Sequence, residues 1–210
     1  MRCDQVKRRR LWTGIAAAAV VAAGAAVWAV LSQPAATESE AKPAARDVSE
    51  AQTLLSAGLM QSQYQDFSGA ATSFKRVVAL DPHNKIAWYN LGVIAQRDGK
   101  KADAREAYDK ALKIDPSFDS ALFNEALLLK SSEPDRSIKL LKRVVAHNSK
   151  ASTAYLHLGE ALAKKGRDDE AQDAFSRAVA ADPKLLSFVP EPFQDSASPS
   201  PSTSQAGTTE

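Results

Sequence analysis

Apolar and small residues recur along most of this chain at the spacing of an α-helical face. Between Lys85 and Phe118, Trp88, Leu91, Gly92 and Ala95 form one such set, and Ala104, Tyr108, Ala111 and Leu112 form a second. Gly99 interrupts the pattern and Asp115-Pro116 closes it, so the stretch predicts helix, tight turn, helix. The pattern then repeats. A small-residue column runs Gly58, Gly92, Ala126, Gly159, in steps of 34, 34 and 33 residues. A column in the second helices runs Ala70, Ala104, Ser137, Ala171, in steps of 34, 33 and 34. Phe74, Tyr108 and Phe175 fill an aromatic column, with Leu141 in its third place. Pro82, Pro116 and Pro183 close the second helices, and Ser149 stands where the third proline belongs. Four helical pairs follow, over 51–84, 85–118, 119–151 and 152–185, the third one residue short between Ala126 and Ser137.

The third pair departs from the others twice. Glu125 stands in a column held by Leu91 and Leu158, and Asn148-Ser149 replaces the Asp-Pro stop. A carboxylate buried there without a basic partner is costly, so this pair is expected to be the softest of the array. Gly99 and Gly166 follow the first helices of the second and fourth pairs, where a left-handed residue ends a helix at little cost.

The segment from Lys85 to Phe118, with its Trp88, Leu91-Gly92, Ala95, Tyr108, Ala111 and Pro116, resembles a tetratricopeptide repeat (TPR), a family of 34-residue helical pairs. The resemblance covers residues 51 to 185 and is strongest in the second and fourth repeats. It implies an all-α solenoid of antiparallel helix pairs, in which each pair buries its apolar faces only by stacking on neighbours. It also implies that the first helices of successive repeats line a concave surface that binds peptides. Carried onto this chain, those columns name Leu55 and Leu59, then Ile86, Tyr89, Asn90 and Val93. The third repeat contributes Phe123, Asn124 and Leu127, and the fourth Leu156, His157 and Glu160. Asn90, Asn124 and His157 fall in one column and form a polar ladder between apolar positions. An asparagine amide both donates to and accepts from a peptide backbone, so the groove suits an extended or helical segment with apolar side chains. One subset of the family holds acidic C-terminal tails through a carboxylate clamp. Asn90 matches that clamp, but Leu55, Leu59, Ser120 and Asn124 stand where it needs Lys, Asn, Lys and Arg.

Ahead of the repeats the pattern changes. Residues 1–10 carry Arg2, Lys7, Arg8, Arg9 and Arg10 and read as a basic cytoplasmic N-terminus. Leu11 to Leu31 is apolar except for Thr13, and at about 1.5 Å per residue such a run spans a bilayer core of roughly 30 Å. Trp12 and Trp28 lie near its ends, as interfacial aromatics do. The reading is a single transmembrane helix at 11–31, with the N-terminus cytoplasmic by the positive-inside rule and the repeats extracytoplasmic. A cleaved signal peptide is the alternative. Its apolar core usually has about 7–15 residues, and Gln33 and Pro34 suit cleavage poorly.

Residues 32–47 read as a flexible linker, 48–189 as the TPR domain, and 190–210 as a disordered tail rich in Ser, Thr and Pro. Leu185, Leu186, Phe188, Val189 and Phe193 interrupt that polar ending. An irregular cap on the fourth repeat, docking in the groove and contact with another protomer are all open.

A net charge of +2 gives no reason to expect nucleic acid as a partner. The only cysteine is Cys3, which excludes a disulfide framework. His83, His147 and His157 have no partners at metal-ligand spacing. No cofactor, metal or catalytic residue is expected, and the chain reads as a non-enzyme. The expected function is a membrane-anchored scaffold that holds a protein or peptide partner in its groove. The alternatives are a self-associating structural protein of the cell envelope, possible as a homo-oligomer, and an accessory subunit that presents substrates to a membrane assembly system.

Overall fold

The computed structural model describes residues 41–198. The expected membrane segment at 11–31 lies outside the described residues, as do the basic N-terminus and the end of the tail. Among the described residues there are helices and no strands, and no helix is long and apolar enough to cross a membrane. The helices are α1 (Ala41–Gln63), α2 (Phe67–Leu80), α3 (Lys85–Arg97), α4 (Lys101–Ile114), α5 (Asp119–Leu129), α6 (Pro134–His147), α7 (Ser152–Lys164) and α8 (Asp168–Ala181). A 3-10 helix (Pro183–Phe188) and α9 (Glu191–Ala197) follow. Consecutive helices pack as pairs and the pairs stack, so the chain is an α-solenoid.

The aromatic and small columns account for the pairing. Phe74, Tyr108 and Phe175 are fully buried, each against the glycine of its own first helix. A Cβ at Gly58, Gly92 or Gly159 would lie 2.7, 2.5 or 2.6 Å from the facing ring. The ring therefore occupies the space a side chain would take. In the third repeat the smaller Leu141 leaves room for the Cβ of Ala126. Ser137 is buried beside it and donates to the Ala126 carbonyl at 2.7 Å.

The turns show what the sequence pattern leaves implicit. Gly99 and Gly166 take φ of +75° and +67°. Gln65 adopts the same left-handed conformation in the first repeat, at φ 64°. The third repeat has no left-handed residue: its first helix stops early, at Leu129, and four residues, Lys130 to Glu133, make the turn that takes three elsewhere. The second helices all end alike, with or without proline. Asp81, Asp115, Asn148 and Asp182 each accept a backbone N–H two residues on, from His83, Ser117, Lys150 and Lys184. This is an Asx turn, and asparagine makes it as well as aspartate does. Asn148-Ser149 is thus no defect.

Two boundaries are corrected. The first helix begins at Ala41, inside the stretch expected to be extended. Pro43 is tolerated there because first-turn N–H groups have no intrahelical acceptor. At the other end, helix continues beyond Pro190 as α9. Leu185, Leu186 and Phe193 pack against the core of the last two repeats, and Val189 and Ala197 are buried. The Phe193 ring lies 5.2 Å from that of Phe175. The segment is therefore an irregular cap on the fourth repeat.

Glu125 is fully buried, and Arg136 reaches it from α6 while also bonding Asp109 at 2.7 Å. The basic partner that makes this burial tolerable is present, though Glu125 Oε2 has no hydrogen-bond partner. Burial pushes the Glu125 carboxyl above its ordinary 4.5, with the Arg136 guanidinium opposing. Removing one member of a buried pair strands the other. Arg136→Ala is therefore expected to cost about 3–5 kcal/mol in urea denaturation, whereas Glu125→Leu, which matches Leu91 and Leu158, is neutral or stabilises by about 1–4 kcal/mol. Because the native pKa is raised, the stability of the natural chain relative to Glu125→Gln is full below about pH 4.5 and is lost as pH rises through the native value.

Candidate functional site

The groove residues come from the first helices, α1, α3, α5 and α7. Helical periodicity separates two faces of α3: Trp88, Leu91 and Ala95 on one, Tyr89, Asn90 and Val93 on the other. Leu59 and Ile86 are exposed to 43% and 38%, whereas Val48, Met60, Tyr64 and Phe188, which are not groove residues, are more exposed still. Tyr89, Asn90, Val93, Phe123, Asn124, Leu127, His157 and Glu160 are half-buried. Leu55 is half-buried too and leans on the core of the first repeat.

Leu156 is corrected. It belongs to the buried core of the last two repeats and is 5% exposed. Its column is open at Tyr89 and Phe123, but at the fourth repeat Leu156 joins the core against which Leu185 and Leu186 of the 3-10 helix pack.

The polar ladder is bonded within the chain. Asn90 Nδ2 donates to the Ile86 carbonyl at 2.8 Å, along its own helix. Asn124 Nδ2 donates to Tyr89 Oη at 3.1 Å, joining the second and third repeats. The carboxamide oxygens of Asn90 and Asn124 accept no bond from the described residues, so each keeps an acceptor for a ligand N–H. Tyr89 is held in place by Phe118, whose ring lies edge-on at 5.3 Å, and by Tyr108 at 6.1 Å. Burial raises the Tyr89 phenol above its usual value, against the opposing Asn124 hydrogen bond.

At the fourth repeat, His157 Nδ1 donates to Glu160 Oε2 at 3.0 Å, and Lys130 Nζ bonds the same oxygen. The His157 ring also lies 5.8 Å from Phe123. The groove therefore changes character along its length, from Leu59, Ile86, Tyr89 and Phe123 to a closed cluster of Lys130, His157 and Glu160. Lys130 was not among the expected residues. Its position 30 residues before Glu160 becomes informative only once adjacent first helices are known to lie side by side. Phe118, in the turn before α5, was missed for the same reason.

A family model described as tetratricopeptide repeat matches residues 63–117 and 127–185, more than half of the chain. The chain belongs to the TPR family. Among curated proteins it is 27% identical over 110 residues to the protein O-mannosyl-transferase Tmtc3 of Drosophila melanogaster, a match covering 51% of this chain and 12% of that protein. Glycosyltransferases named SPINDLY from tomato and petunia match over 9% of their length, so the chain spans about a tenth of these first relatives. Photosystem I assembly protein Ycf3 of Parasynechococcus marenigrum is 27% identical over 144 residues, covering 62% of this chain and 83% of that one. Among solved structures, MamA superposes with a TM-score of 0.60 at 26% identity, covering 65% of this chain and 81% of MamA. YrrB, titled a TPR protein with an unusual peptide-binding site, superposes with a TM-score of 0.60 at 21% identity, over 64% and 70% of the two chains. The YrrB likeness shows the fold alone.

The His157 hydrogen bond and the Lys130 ammonium hold the Glu160 carboxyl at about 2, against opposing burial. A lowered native pKa means stability present above the ordinary value of 4.5 and lost as pH falls toward 2. Thermal denaturation should therefore show the natural chain's advantage over Glu160→Gln shrinking across that acid range, opposite in sense to Glu125→Gln.

Proposed function

We propose that this chain is a protein-interaction scaffold that holds a peptide or partner protein in the groove of its first helices. The observation that carries the reading is the pair Leu59 and Ile86, large apolar side chains left exposed on α1 and α3, with Tyr89 of α3 and Phe123 of α5 half-buried. A partner covering them recovers roughly 25 cal/mol for each Å² of apolar surface withdrawn from water. The free carboxamide oxygens of Asn90 and Asn124 orient a backbone laid across them. The relatives lend support of a general kind: one is an assembly protein, and one structural neighbour is titled for its peptide-binding site.

We extend the proposal to location. The apolar run Leu11–Leu31 behind its basic cluster is an uncleaved single-pass anchor, with the N-terminus cytoplasmic and the repeats on the other side. The scaffold then works at the outer face of a cell membrane. Self-association finds less support, because Leu185, Leu186 and Phe193 pack on the core of the last two repeats and leave less of that apolar segment for another protomer.

The groove is tested by affinity capture from membranes with the full chain and with an Ile86→Glu, Asn90→Ala variant. Both changes fall outside the core, so the helical circular dichroism is expected to stay unchanged while partner recovery drops by about tenfold or more. Equal recovery by both proteins rules the groove out. In intact cells, added protease is expected to degrade the repeats of the membrane-bound protein, whereas a shortened soluble form would identify a signal peptide instead.

A further inference from the structure

The faces of α3 and α7 that carry no groove residues line a second kind of surface. Between the first and second repeats lies a cleft of about 300 Å³, and between the third and fourth one of about 480 Å³. Corresponding positions are 67 residues apart and keep their chemistry. Trp88 and Leu91 form one apolar floor, Tyr155 and Leu158 the other. Lys110 lies 4.2 Å over the Trp88 ring and Arg177 lies 5.9 Å over Tyr155.

Across each junction, a charged residue of one second helix faces one on the next. Lys142 bonds Glu170 at 2.8 Å between the third and fourth repeats. Arg136 bonds Asp109 at 2.7 Å between the second and third, with the polarity reversed. Between the first and second repeats the corresponding residues are Lys75 and Asp103, and no ion pair joins them, although both line the cleft. The closed pairs combine lysine with glutamate and arginine with aspartate. Lysine with aspartate falls one methylene short of the Lys142–Glu170 pair. The first clasp is open.

We propose that this open clasp is a docking site for a helical segment of a partner protein. The segment presents an acidic, an apolar and a basic side chain in a row along one face. The acid pairs with Lys75, the base with Asp103, and the apolar side chain rests on Trp88 and Leu91. Charge complementarity selects this partner. The other rim charges are already spent, Glu106 on Lys110 at 2.7 Å and Asp98 on Lys100 at 3.3 Å. The unspent charges have opposite sign, so a ligand of one sign meets repulsion at one of them. In the equivalent cleft between the third and fourth repeats, Lys142 and Glu170 are spent on each other, so it does not select this partner. This site is separate from the groove and does not depend on it.

The test uses the full chain and a fluorescein-labelled, acetylated, alanine-rich helical peptide with Glu, Leu and Lys at i, i+4 and i+8, followed by fluorescence anisotropy. Asp103→Glu keeps the charge but adds the missing methylene, so Lys75 closes the clasp within the chain. Peptide affinity is expected to fall about fivefold or more while the melting temperature rises. Asp103→Asn is expected to lower affinity to a similar extent without that rise. Ile86→Glu, in the groove, is expected to leave peptide binding unchanged. The proposal is overturned if the peptide does not bind, if Asp103→Glu binds it as well as the natural chain does, or if a control peptide with Gln for both charges binds equally.

Discussion

An aromatic ring laid against a backbone that carries no side chain holds three of the four helical pairs together, and the array depends on that contact. Tyr108 against Gly92 is the model for Phe74 against Gly58 and Phe175 against Gly159. The distance between the two helices of a pair is set there, because a single Cβ would force the ring out. Each such ring withdraws an area on the order of 150–250 Å² from water. Once the pairs are set, Leu59 and Ile86 stay exposed on the first helices, and Tyr89 and Phe123 stay half-buried.

Polar contacts then tie one repeat to the next. Arg105 with Glu133, Lys130 with Glu160 and Lys165 with Asp135 each join residues 28 to 30 positions apart in neighbouring repeats. Individually, exposed pairs of this kind contribute little, about 0–1 kcal/mol. Their role is geometric: they fix which residue of one repeat faces which residue of the next. The third repeat carries the heaviest share. Arg136 ties it to Glu125 and Asp109, His147 reaches Asp119, and Lys142 reaches Glu170. A repeat that looks irregular in sequence is thus braced on both sides.

The repeats were legible because packing demands the same residue sizes at the same places. Gly or Ala must meet a ring or leucine, and that requirement leaves a period that can be counted. What depends on neighbours 30 or more residues away was not legible. The bond from Asn124 to Tyr89 and the cluster of Lys130, His157 and Glu160 arise from adjacent first helices lying side by side. Leu156 reads like its column mates but is buried in the core of the last two repeats. The helix stops were legible in place and misread in cause. Proline marks them, but the side-chain oxygen of Asp81, Asp115, Asn148 or Asp182 makes the turn. An irregular cap was among the expected readings of 185–193, but its helices were not foreseen, because their prolines fall at the starts of short helices, where they are tolerated.

The central claim is that the first helices carry the surface at which this chain meets its partner. Site-specific photo-crosslinking in intact cells tests it directly. A benzophenone amino acid is placed at Ile86, open on the groove, and separately at Lys113, exposed on α4. The account predicts a discrete adduct of higher mass from position 86 and none of that mass from position 113. The absence of an adduct at 86, or the same adduct from both positions, would contradict it.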